Sequence, residues 1–81
     1  MMMSDRVPYV VGVSGASGTP YAAAVIRALL DAGEAVDLIV SRAARLTILD
    51  ETGIGWRDAY WRDDLQKWLG VDVDRVQHWS P

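Results

Sequence analysis

The stretch that decides the fold is YVVGVSGASGTPYAAAVIRALL, residues 9–30, in which glycines at positions 12, 15 and 18 separate two apolar segments. The first segment is rich in valine, which favours a strand, and its continuous apolar character is typical of parallel strands covered on both faces. Pro20 suits the first position of a helix, where its missing N–H costs nothing. The stretch therefore predicts a strand over Tyr9–Ser14, buried on both faces, a turn over Gly15–Thr19 with Thr19 as N-cap, and a helix from Pro20 to about Ala32.

Strands and helices continue to alternate along the rest of the chain. We expect a second buried strand over Ala35–Val40, a helix over Arg42–Glu51, an amphipathic helix over Trp56–Leu69 and a short third strand over Arg75–Trp79. This order predicts an α/β fold, a doubly wound parallel sheet with right-handed crossovers. Three strands make about half of such a sheet, so we expect one domain over residues 1–81 that is truncated at its C-terminus.

Composition excludes several classes of function. The 81 residues carry a net charge of −3, which argues against sequence-independent nucleic-acid binding. Apolar runs fall far short of the ~20 residues that span a bilayer. The chain has no cysteine, which excludes disulfides and thiolate metal sites and fits a reducing compartment. We therefore expect a cytoplasmic protein that binds neither nucleic acid nor membrane.

The glycine turn has the features of an anion site. Ligands of open α/β sheets bind outside the carboxyl ends of the strands, where Ser14–Gly18 and Ser41 both fall. Glycines let the backbone approach a phosphate, and free N–H groups at the helix start point toward it. The spacing G-x-x-G-x-x-G lacks the lysine of a P-loop. A dinucleotide, a flavin phosphate and a purely structural turn all remain open on this pattern.

Charged residues of the helix after the second strand lie where the helix dipole disfavours them. Arg42 and Arg45 fall in its first turn, and Glu51 falls near its end. The arginines are either solvated or compensated by a nearby anion, with Ser41 as N-cap, phosphate ligand or both. Glu51 is either a surface acid or a carboxyl group held near a flavin ring for proton transfer.

Two segments together resemble the UbiX-type flavin prenyltransferases, which belong to a broader group of Rossmann-type flavoproteins. They are VGVSGASGTPYAAAVIRALL, residues 11–30, and VDLIVSRAARLTILDETG, residues 36–53. The specific elements are the G-A-S-G turn, a tyrosine three residues after it, the S-[KR]-A-A helix start and a glutamate ten residues beyond that serine. The likeness covers residues 9–53, the N-terminal part of that family.

The resemblance implies a flavodoxin-like Rossmann fold, a homododecamer and no metal. It also implies transfer of a dimethylallyl group from dimethylallyl monophosphate to reduced FMN, giving prenylated FMN for a UbiD-type decarboxylase. Carried over, Gly15, Ala16, Ser17 and Ser41 would bind FMN. Ser17 and Glu51 would be catalytic, taking part in proton transfer during ring closure. The family's residues that bind the prenyl phosphate have no counterpart in these 81 residues.

Three other interpretations compete with this one. A short-chain-dehydrogenase-like NAD(P) domain can share the glycine spacing, with Arg42 serving a 2′-phosphate, but it gives Glu51 no role. An FMN-dependent cysteine decarboxylase binds flavin at a similar turn, but relies on a histidine after the second strand. His78 is far from that place and is read as an ordinary strand-end side chain. An interaction fragment would use the apolar helix and the Trp56–Trp68 cluster as contact surfaces.

Overall fold

The computed structural model describes residues 7–15 and 18–79. In chain order the elements are β1 (Tyr9–Val13), α1 (Thr19–Asp31), β2 (Val36–Val40), α2 (Arg42–Thr52), a short 3₁₀ helix (Asp58–Tyr60), α3 (Trp61–Leu69) and β3 (Val76–Trp79). The predicted order of strands and helices is confirmed. The amphipathic helix predicted over Trp56–Leu69 begins only at Trp61, because an extended stretch and the 3₁₀ turn precede α3.

The strands form one parallel sheet in the order β1-β2-β3, with β2 in the middle. Tyr9 pairs with Val36 and Val13 with Val40, while Val36 also pairs with Val76. This α/β arrangement confirms the predicted fold class. Because both crossovers step in the same direction, right-handed connections place their helices on the same face of the sheet.

Burial alternates along β2, where Val36, Leu38 and Val40 are buried while Asp37 and Ile39 are only half-buried. The core joins this face to the helices, and it also contains Ile26 of α1, Ile48 of α2 and Leu65 of α3. The prediction that β1 is buried on both faces is wrong for the described residues: Tyr9 is 51% and Val10 69% exposed. The physical reason is that helices cover one face of the sheet and β1 lies at its edge.

The amphipathic pattern of α3 is confirmed. Leu65 and Leu69 are buried, Trp61 and Trp68 pack partly buried against the core, and the polar residues Arg62, Asp63, Gln66 and Lys67 are exposed. Within the ranges that the structure describes, no helix combines the length and apolar character needed to cross a bilayer.

Asp64 of α3 is a charged residue inside this apolar layer, 2% exposed. The Arg57 guanidinium donates to both carboxylate oxygens, with its Nη2 2.7 Å from Oδ1, and the Arg57 backbone N–H donates to Oδ2 at 2.8 Å. The Arg57 side chain holds the pKa of the Asp64 carboxyl below its ordinary value of 3.8, although burial acts the other way. The pair fixes the loop before α3 to the helix.

We expect Asp64→Ala to lower the free energy of unfolding of the full-length protein by about 2 kcal/mol, the range for losing hydrogen bonds to a buried charged group. Because the folded-state pKa is lowered, this stabilisation is present above pH 3.8 and is lost as the pH falls through the folded value. Denaturant titration at neutral and acidic pH measures both effects. Asp63→Ala, in the same first turn but exposed, is the matched control. Equal losses of unfolding free energy in the two variants would contradict the stabilising role of the Asp64–Arg57 pair.

Candidate functional site

Helix α2 passes beside the glycine turn and the start of α1. Its residues Ala43, Thr47 and Glu51 follow one another at intervals of four, so they lie along one face of the helix. Each contacts the neighbouring segment: Ala43 packs on Gly15, Thr47 donates a hydrogen bond to the Gly15 carbonyl, and Glu51 accepts one from Thr19. One helix face therefore holds both ends of the turn.

The contact between Gly15 and Ala43 leaves no room for a side chain. A methyl group added at Gly15 would overlap the Ala43 Cβ and lie 2.9 Å from the Ala43 carbonyl carbon. The Thr47 hydroxyl lies 3.2 Å from the Gly15 oxygen and also 3.1 Å from the Ala43 oxygen. The first glycine of the turn is thus required by the approach of α2.

The start of α1 differs from the sequence prediction. Gly18, not Thr19, is the N-cap, with φ 135°, a backbone conformation that favours glycine. Thr19 is the first residue of the helix and is 1% exposed. The prediction of Thr19 as N-cap is wrong because its hydroxyl donates to the Glu51 carboxylate instead of accepting from the first turn.

This contact explains the unfavourable position of Glu51 at the end of α2. The carbonyl end of α2 disfavours a negative charge, but the side chain reaches the N-terminal end of α1, where the free N–H groups favour one. Glu51 also borders a cleft of about 260 Å³ that Thr19, Arg27 and Trp68 help to line. Glu51 is exposed as a residue while its carboxylate is held by the part-buried bond to Thr19, an arrangement suited to exchanging a proton with a ligand.

Ser41 lies at the carboxyl end of β2 and is the N-cap of α2, as predicted. Its Oγ accepts a hydrogen bond from the Ala44 N–H at 3.1 Å. Because that bond uses a lone pair of the oxygen, the hydroxyl hydrogen remains able to donate to an anion. Capping and ligand binding by Ser41 are therefore compatible. The Ser41 backbone N–H also bonds the Val13 carbonyl, so the ends of β1 and β2 are adjacent.

The two arginines at the start of α2 differ in their surroundings. The Arg45 Nη2 forms an ion pair with Asp58 at 2.7 Å, so a carboxylate of the protein compensates this cation. Arg42 is exposed. Of the two arginines, only Arg42 therefore fits the solvated alternative.

His78 packs between two tryptophans on the side of the sheet that faces the helices. Its ring centroid is 5.3 Å from that of Trp56 and 5.6 Å from that of Trp61. Burial lowers the pKa of His78, and the Arg45 charge acts in the same direction while Asp58 opposes it. The packing favours a structural role for this histidine, in line with the sequence interpretation.

Three of the predicted site residues lie in the described part of the chain, and two lie outside it. Gly15 packs near the start of α2, where Ser41 is the N-cap, whereas Glu51 lies about 15 Å along that helix and contacts Thr19. Ala16 and Ser17 fall in the gap between residues 15 and 18. Sequence reasoning missed Thr47 and the contact of Thr19. The four-residue spacing from Ala43 to Glu51 was the available signal for Thr47, whereas nothing local indicated the partner of Thr19.

Comparison with known proteins gives two close relatives. The chain is 64% identical over 85 residues to the flavin prenyltransferase UbiX of Streptomyces coelicolor, covering 91% of this chain and 39% of that protein. It is 39% identical over 61 residues to the flavin prenyltransferase UbiX of Chlamydia pneumoniae, covering 75% of this chain and 32% of that protein. The chain thus spans about two fifths or less of the length of these relatives. No protein-family model matches it.

Proposed function

Since the chain belongs to the UbiX-type flavin prenyltransferase family, we propose that the full-length protein prenylates reduced FMN. In this reaction the C–O bond to the phosphate breaks as the dimethylallyl carbon bonds to N5, which loses its proton. The double bond then takes up a proton at one carbon while its other carbon bonds to C6, and C6 loses its proton. The proposal extends to a homo-oligomer, a dodecamer by analogy with the family, in the cytoplasm. Its product would be the cofactor of a UbiD-type decarboxylase.

The observation that carries the proposal is the contact of Glu51 with the start of α1. A carboxylate ten residues beyond Ser41 has no purpose in a nicotinamide site, yet here α2 delivers it to the residue that follows the glycine turn. Forming a bond at C6 of the flavin releases the proton of that carbon, so a base is needed beside the ring. We assign that role to Glu51, acting with Ser17.

The remaining groups of the turn fit a flavin phosphate or ring edge. Gly15 lies at the carboxyl end of β1, the edge where ligands of open α/β sheets bind, and it has no side chain because Ala43 packs against it. The Ser41 hydroxyl keeps a hydrogen to donate. We propose that Gly15, Ala16, Ser17 and Ser41 bind FMN. The alternatives, an NAD(P) domain or a cysteine-decarboxylase-like flavoprotein, have no comparable support, because α2 begins directly after Ser41 and carries no histidine.

The test is anaerobic incubation of the full-length protein with reduced FMN and dimethylallyl monophosphate, followed by mass analysis of the extracted flavin. We expect the flavin mass to increase by one dimethylallyl group in place of a hydrogen. Incubation with FMN kept oxidised is the control and should leave the mass unchanged. An unaltered flavin mass in the reduced reaction would overturn the proposal, and tight binding of NADP by a colourless protein would favour the dehydrogenase-like alternative.

A further inference from the structure

The Thr19 hydroxyl is the group that holds Glu51 at the glycine turn among the residues that the structure describes. Thr19 is 1% exposed, whereas Glu51 is exposed and lies in the last turn of α2. A glutamate in such a place has several rotamers open to water, and fixing one of them costs conformational entropy. A hydrogen bond from a buried donor to the carboxylate in one rotamer offsets this cost.

The donor itself is fixed by its surroundings. Thr19 is the first residue of α1 and Pro20 follows it, so the proline ring restricts the backbone of Thr19. The branched Thr19 side chain has few rotamers. A hydrogen bond from a neutral hydroxyl to a carboxylate is of the strong, charge-assisted kind. The direction of the Glu51 carboxylate is therefore set from α1 and not by α2 alone.

We infer that Thr19 is a positioning residue, which orients the Glu51 carboxylate for proton transfer without touching the flavin. This role rests on the proposed function and adds to it a residue at the start of α1, besides the serine and glutamate pair. The inference accounts for a polar side chain that is buried at the site although it does not cap its helix. It predicts that the hydroxyl, and not the size of the side chain, determines turnover.

The experiment compares variants of the full-length protein in the anaerobic prenylation assay. Thr19→Ser keeps the hydroxyl, Thr19→Ala removes it, and Thr19→Val removes it while keeping the volume. We expect Thr19→Ala and Thr19→Val to lower kcat by about tenfold or more, the factor that matches loss of a hydrogen bond to a charged group. The KM for reduced FMN should stay the same, and Thr19→Ser should retain kcat near the wild-type value.

A double variant separates positioning from a general effect on folding. If Thr19 acts through Glu51, combining Thr19→Val with Glu51→Gln should lower kcat no further than Glu51→Gln alone. The inference would be overturned if the two substitutions lowered kcat by independent factors that multiply in the double variant, or if Thr19→Ala had the same kcat as Thr19→Ser. The serine and alanine variants differ by one oxygen, so they decide the question even if Thr19→Val fails to fold. Absence of product with the wild-type protein would instead overturn the proposed function, and this inference with it.

Discussion

Gly15→Ala is expected to abolish flavin binding by the full-length protein and to lower its free energy of unfolding by about 3 kcal/mol. The added methyl group would overlap the Cβ of Ala43 and approach the Ala43 carbonyl carbon to 2.9 Å. Neither of these atoms belongs to a flexible side chain, so helix α2 itself has to move away from the turn. Overpacking of this kind costs about 1–3 kcal/mol and sometimes more.

The displacement should affect ligand binding because α2 also carries Ser41 at its start and Glu51 near its end. The measurements are flavin retention after gel filtration and denaturant titration. Gly55→Ala is the matched control, since no atom lies within 4 Å of a methyl group there and its φ is not positive. A Gly15→Ala protein that keeps its flavin and its stability would show that α2 does not pack on the turn as described.

Glu51→Gln is expected to leave flavin binding intact and to slow product formation by about 10²–10⁴-fold, the contribution of a general acid or base. Glutamine keeps the shape of the side chain and an oxygen that can accept the Thr19 hydrogen bond, but it cannot take up a proton at neutral pH. The loss should therefore appear in kcat and not in the KM for reduced FMN.

The neighbouring acid provides the control for Glu51. Asp50 is exposed, lies one residue earlier in α2 and has the same charge, so Asp50→Asn changes the net charge equally. We expect that variant to have wild-type turnover. Rapid single-turnover mixing with anaerobic flavin measures the chemical step directly. Unchanged turnover in Glu51→Gln would show that Glu51 is a surface acid without a part in catalysis.

The sequence was sufficient for the fold class because its signals are local. Valine-rich strands, the proline at the start of α1 and the alternation of strands and helices each follow from short-range preferences. Ser41 was also predictable, since an N-cap depends on the three residues after it. Burial of β1 was not, because that property depends on which neighbours cover the strand, and in the described residues its outer edge and one face have none.

The contacts of the site depend on long-range geometry that periodicity does not contain. Thr19 and Glu51 are 32 residues apart, and so are Gly15 and Thr47. Their pairing depends on how α2 packs against the turn and the start of α1, where Ala43 lies against Gly15. Local sequence patterns predicted Thr19 as an N-cap, because they do not show that the distant Glu51 carboxylate competes for its hydroxyl. Glu51 was singled out only through its unfavourable helix position and the family resemblance.

The four-residue spacing on α2 has a consequence for how this helix can change during evolution. A side chain at position 15 would collide with Ala43, and Thr47 and Glu51 hold the same neighbouring segment by their side chains. Substitutions at these positions are coupled, because a movement of α2 that accommodates one of them also displaces the side chains at the other two. Leu49, on the opposite side of the helix, is exposed and is not subject to that coupling. Diversification of the family would then leave one face of the helix unchanged while the other adapts to new neighbours.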